Sequence, residues 1–185
     1  MKPGGGGQKG SEFERTQAKL LSLWISAGAD KDLLWRTGMS GGRHTIGALK
    51  NHGYGDLQVL KPTADSQRFM SLFCVELKHY ANFDLQREWQ NDKSNLRKWW
   101  GKVAEEAKSN NVQPLLVVKA NRKDALIFFD LLAFQHIAPT NNELNHLIIA
   151  FDDNILIGFE QKEFLATMVF ADFGIPRLLR KGNKP

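Results

Sequence analysis

The 185 residues carry a net charge of +5, with 42% hydrophobic and 24% charged side chains, the profile of a single soluble domain that leans towards polyanionic partners. One cysteine, Cys74, excludes an intrachain disulfide and a four-cysteine zinc site and suits a reducing cytoplasm. No apolar run approaches the roughly 18 residues of a membrane span, no apolar signal core follows Met1, and no G-x-x-x-x-G-K-[ST] loop is present to drive an ATP-powered motor.

Residues 1–10 (MKPGGGGQKG) read as a flexible basic arm, 11–177 as one folded domain and 178–185 as a basic tail. A first helix is predicted over 11–27. Ser11 and Glu14 match a capping box, Phe13, Leu20, Leu21 and Trp24 supply an apolar face, and Gly28 ends it. A short strand over 33–37 leads into the glycine-rich loop 38–43, and a second strand over 56–60 stops at Pro62. Residues 72–78 form the stronger strand, apolar on both faces as in a central strand covered on both sides. After a polar stretch over 82–93, a helix is predicted over 94–109, its apolar stripe being Leu96, Trp99, Trp100, Val103 and Ala107. Strands follow over 115–119 and 126–129. A hairpin over 146–159 turns at Asp152-Asp153-Asn154, and a last helix covers 161–170. This order predicts an α/β (α+β) core with a mixed sheet.

The chemistry concentrates in Cys74-Val75-Glu76-Leu77-Lys78. Residues two apart on a strand share a face, so Glu76 and Lys78 emerge together, while Val75 and Leu77 pack on the other side. Gly55-Asp56 opens the preceding strand at a separation that suits a hairpin setting Asp56 beside Glu76. Two adjacent carboxylates call for a hard divalent cation, and Mg²⁺ accepts such a site because it keeps several waters. The bland alternative for Glu76 and Lys78 is an ion pair at a strand end. Glu14 has a capping role as its own alternative. It also shares a helix face with Ala18, Leu21 and Ile25, which carries it towards the sheet. Lys93, Arg97, Lys98 and Lys102 read first as a solvated helix face and second as a phosphate-contacting surface.

Gly10-Ser11-Glu12-Phe13-Glu14-Arg15, Ser40-Gly41-Gly42, Gly55-Asp56-Leu57 and Glu76-Leu77-Lys78 resemble, in order and rough spacing, the motifs of archaeal-type Holliday junction resolvases of the PD-(D/E)XK superfamily. The chain also resembles the small endonucleases of that superfamily that phages encode. The resemblance implies a restriction-endonuclease-like core and a Mg²⁺- or Mn²⁺-dependent endonuclease acting on DNA, in its sharpest form on branched duplex as a homodimer. A prokaryotic or phage-infected cytoplasm is the implied setting. It implies Asp56, Glu76 and the Leu77 carbonyl as metal ligands, with Glu14 binding metal through water or holding a second ion. Lys78 becomes the catalytic lysine, Ser40 a contact to the scissile phosphate, and Arg15, Arg43, Lys93, Arg97 and Lys98 DNA contacts. A nicking, repair or restriction-type nuclease with the same core, or a non-catalytic DNA-binding domain, are the alternatives. Gly55 stands where the superfamily's name has proline.

Overall fold

The computed structural model describes residues 5–37, 54–138 and 144–174. Its first helix, α1 (Gly5–Ile25), starts ahead of the predicted capping box. Ser11 therefore lies inside the helix, and the segment read as a loose arm is helical from Gly5 onwards. Glycine is a poor helix former, but a helix already packed along one face propagates cheaply beyond it. That face is Phe13, Gln17, Ala18, Leu21, Trp24 and Ile25, all buried. The helix closes with Ala27 and Gly28 at positive φ (51° and 88°), the Gly28 N–H donating to the Leu23 carbonyl at 2.7 Å, a left-handed C-terminal cap.

Strands β1 (Leu34–Arg36) and β2 (Leu57–Val59) form a small antiparallel ribbon with Arg36 opposite Leu57. Helix α2 (Ala64–Leu72) follows, with a Thr63–Ser66 capping box and Phe69 and Met70 in the core. The sequence reading passed over it because its N3 residue is serine rather than Glu or Gln. This helix changes the connection between the two acidic strands. They do not form a hairpin; α2 carries the chain across, so that Gly55 meets Val75 in a parallel bridge. Parallel neighbours need such a crossover.

Strand β3 (Phe73–Tyr80) leads to α3 (Leu85–Gln90) and α4 (Asn95–Ser109), then to β4 (Gln113–Ala120) and β5 (Leu126–Asp130). After α5 (Leu131–Ile137) come β6 (Leu147–Phe151), β7 (Asn154–Glu160), α6 (Gln161–Thr167) and a 3₁₀ turn at Phe170–Asp172. The mixed sheet runs β3-β4-β5-β7-β6, with β3 and β4 parallel and every other neighbour antiparallel. β3 is thus the end strand rather than a central one. It is apolar on both faces because helices cover both, and its outer edge is met by Gly55 and Asp56.

One core lies between the sheet and α1, α2 and α6. There Trp24 is ringed by Phe69, Phe164, Phe170 and Phe173 at centroid distances of 5.2–6.4 Å. The other lies under α4, where Leu96, Trp100, Val103 and Ala107 press on Cys74, Leu116 and Val118. Trp99 departs from the predicted stripe: it is half-buried and lies against Tyr80 and Phe83 at the margin. Among the described residues no helix is long and apolar enough to cross a membrane.

One buried hydroxyl helps to fasten the ribbon to α1. Ser22 Oγ donates to the Ala18 carbonyl at 2.7 Å and accepts from the Leu34 N–H at 2.9 Å. Ser22→Ala leaves that N–H buried without its partner, which costs about 1–3 kcal/mol. A lowered urea midpoint with an unchanged slope is the expected result, and an unmoved midpoint would show that the ribbon is held elsewhere.

Candidate active site

β3 is buried from Phe73 to Leu77, and the Glu76 side chain has no solvent exposure. Ionised carboxylates rarely occupy such places without partners. Glu76 has two. Lys78 Nζ lies 2.5 Å from Oε1, and Lys102 Nζ, from α4, donates to both oxygens at 2.9 and 3.0 Å. The predicted face-sharing of Glu76 and Lys78 is therefore present. Lys102 was assigned to a solvated face, and its side chain is 59% exposed, but its tip turns in to Glu76.

Asp56 is held by backbone on three sides. Its N–H donates to the Val75 carbonyl at 2.7 Å, its carbonyl accepts from the Thr37 N–H at 2.9 Å, and Oδ2 accepts from the Leu77 N–H at 2.8 Å. The Lys78 ammonium stands 4.0 Å from the same carboxylate. Gly55 makes this approach possible. A Cβ there would sit 2.2 Å from the Val75 carbonyl oxygen, and its φ is +73°. Proline, locked near −65°, cannot take that conformation, which accounts for glycine at the position where the superfamily name has proline. The Gly55 N–H donates to Glu106 Oε1 at 2.7 Å and its carbonyl accepts from Thr37 Oγ1 at 2.9 Å. Glu106 and Thr37, neither anticipated from the sequence, thus brace the turn that aims Asp56.

Glu14 reaches the same edge from α1. It pairs with Arg36 Nε at 3.2 Å, a partner that sequence reasoning missed, and the capping role falls away because Glu14 lies well inside the helix. Burial pushes its carboxyl above the usual range, against the lowering pull of Arg36, and the nearby Asp56 adds to the rise. Asp56 is likewise raised, by burial first and by the negative charge of Glu76 second. The Cys74 thiol, pushed up to about 12 by burial and then by Glu106, Glu76 and Asp56, is a packing residue and not a nucleophile. Negative charge is thus concentrated at the outer edge of β3, and two lysines only partly offset it.

The oxygen donors fit a hard divalent cation in kind. Groups on a strand alternate between its two edges. Since the Val75 carbonyl and the Leu77 N–H both face Asp56, the Leu77 carbonyl emerges on that edge too. Among the described residues no three His, Cys, Asp or Glu side chains stand at metal-ligand spacing, and the Glu76 oxygens are met by the two ammonium groups.

The remaining expected residues divide sharply. Ser40 and Arg43 lie outside the described residues. Arg15, Lys93 and Lys98 are exposed. Arg97 is engaged within the protein: it pairs with Asp92 at 3.2 Å and Asp152 at 3.0 Å and lies over the Phe151 ring, tying α4 to the β6–β7 turn. His79, on the opposite face from Lys78, packs on Phe13 and contacts Asn121.

Residues 6–173 match the family described as "Phage putative PDDEXK endonuclease". No curated protein and no solved structure matches the chain.

The raised Asp56 carboxyl has a consequence for stability. A carboxyl whose pKa is higher folded than unfolded binds its proton more tightly in the native state. Stability therefore falls as pH climbs from the ordinary carboxylate value, about 4, through the raised one, and stays lower above it. Asp56→Asn removes that cost while keeping an acceptor for the Leu77 N–H. In EDTA at pH 7 the variant is expected to melt above the wild type, with the gap closing below about pH 4. Thermal unfolding followed by circular dichroism checks this, and a lower Tm at pH 7 would show that the carboxylate is net stabilising.

Proposed function

The chain belongs to the family of phage PDDEXK endonucleases, and from that premise we propose that it hydrolyses DNA phosphodiester bonds with Mg²⁺ or Mn²⁺ at the outer edge of β3. The observation that carries the proposal is the Leu77 N–H bond to Asp56. It sets a second carboxylate beside Glu76 and Lys78, three groups from two separate elements aimed at one spot. Asp56, Glu76 and the Leu77 carbonyl would hold the ion, and Glu14 would act through an intervening water or hold a second one. Such an ion polarises a phosphate oxygen and lowers the pKa of water.

The other roles belong to the protein's own groups. Lys78, in contact with both carboxylates, is placed to orient the attacking water and to stabilise negative charge building on the phosphate oxygens. Arg36 holds Glu14 towards the cluster. Arg15, Lys93 and Lys98 are the exposed cations that suit phosphate contacts, and Ser40 and Arg43 keep the roles that the family resemblance implies. Arg97 is better suited to bracing α4.

The preferred substrate is a branched duplex, cut by a homodimer. A junction has two symmetric strands to cut and each chain one site, so a twofold pair is the economical arrangement. β6 is an end strand of the sheet, and its Ile148 and the Ile155 of neighbouring β7 are 54% and 42% exposed. An apolar, unpaired edge of this kind invites a second strand.

Cleavage is expected to stop in excess EDTA and to return with Mg²⁺ or Mn²⁺. Glu76→Gln and Asp56→Asn are expected to lose at least ~10²-fold in rate with the fold intact. Glu14→Gln should also cripple cleavage, and normal turnover there would remove Glu14 from the site. A panel of four-way junction, flap, nicked, linear and single-stranded DNA, with light scattering on the protein, tests the substrate and assembly. A monomer that cuts linear duplex as fast as junctions would favour a nicking or repair nuclease. Full activity in EDTA would contradict metal dependence.

A further inference from the structure

Lys102 stands apart from the other lysines of its helix. Its stem is largely in solvent, yet its ammonium donates to both oxygens of a carboxylate that has no exposure at all. Burial works against the charge on its ammonium, but the hydrogen bond and the charge of Glu76 outweigh this, and its pKa is raised. An ordinary exposed ion pair has little hold on its partners. This one is held because Glu76 cannot be left charged and uncompensated at that depth.

Lys78 alone provides one positive charge for Glu76 and Asp56 together. Lys102 therefore supplies the second, so the carboxylate pair is met by two unit charges, the charge of one divalent cation. The two lysines are nevertheless unlike in attachment. Lys78 rises from the same rigid strand as Glu76 and is 28% exposed. Lys102 reaches in from the surface of α4 on a long, rotatable stem, and its side chain is 59% exposed. Lys98, also exposed, lies one turn before it on the helix.

We propose that Lys102 is a displaceable counter-ion: its ammonium occupies the cation position on Glu76 in the metal-free protein and turns out to a DNA phosphate when a divalent ion enters. This rests on the assignment of Asp56 and Glu76 as the metal-holding pair and deepens it. The competition weakens metal binding in the absence of DNA. DNA offers the released ammonium a new anionic partner, so metal and DNA each favour the binding of the other, as reciprocal coupling requires.

The test is Mn²⁺ titration by calorimetry, without DNA, of the full chain as wild type, Lys102→Met and Lys102→Arg. Removing a unit charge in contact with the site is expected to tighten Mn²⁺ about tenfold or more in Lys102→Met. Lys102→Arg keeps the charge and is expected to stay near wild type. Circular dichroism confirms that the variants fold. In the presence of DNA, Lys102→Met is expected to lose about one unit from the salt-dependence slope of binding. Equal or weaker Mn²⁺ affinity in Lys102→Met would overturn the inference and leave the metal site standing. If Asp56→Asn fails to abolish the Mn²⁺ binding of both wild type and Lys102→Met, the ion sits elsewhere and the site assignment falls as well. Absence of Mn²⁺ binding in every variant would sink both.

Discussion

The fold is arranged around a carboxylate that has been taken out of water. Glu76 sits within five consecutive buried positions on β3, and stranding an ion there costs several kcal/mol unless charge and hydrogen bonds compensate it. That requirement accounts for features that otherwise look unrelated. It draws Lys78 back along its own strand and Lys102 down from α4, and the charge of Glu76 adds to the burial that raises the carboxyl of Asp56. A packed hydrophobe at 76 would satisfy the core at no such cost. An acid held at that depth by two cations is what the proposed metal chemistry would require of this position.

The second constraint is steric. Asp56 reaches β3 only because the chain approaches the Val75 carbonyl closer than a Cβ permits, with Gly55 in a conformation closed to proline. The polar groups freed by that turn are recovered by Glu106 and Thr37. Three elements far apart in sequence, β1, the Gly55 turn and α4, are thereby locked to one strand edge. The end position of β3 in the sheet is what leaves that edge open. A strand inserted there would pair with β3 and exclude Asp56.

Much of this was legible in the sequence, and the boundary between what was and was not is physical. The α4 stripe and the β3 run are long and strongly patterned, and both elements are where periodicity puts them. The pairing of Glu76 with Lys78 follows from the alternation of a strand. The short helices α2, α3 and α5 were not seen, because three buried residues in α2 and none in α3 and α5 leave no period to read. Missing α2 produced the mistaken hairpin, although the proximity of Asp56 and Glu76 survived that error. Arg36, Lys102 and Glu106 were invisible as site residues because their roles arise from tertiary approach. A lysine on a helix surface reads as solvated until one knows what lies beneath its tip. Arg97 shows the converse: its basic character suggested DNA, while Asp92, Asp152 and Phe151 claim it within the fold.

The central claim is that the oxygen atoms of Asp56, Glu76 and Leu77 at the outer edge of β3 form one divalent-metal site. Diffraction at the manganese absorption edge from crystals soaked in Mn²⁺ tests it most directly. The account predicts an anomalous peak within coordination reach of both carboxylates and the Leu77 carbonyl. Saturating Mn²⁺ with no peak at that edge, and Glu76 still clasped by Lys78 and Lys102, would contradict it.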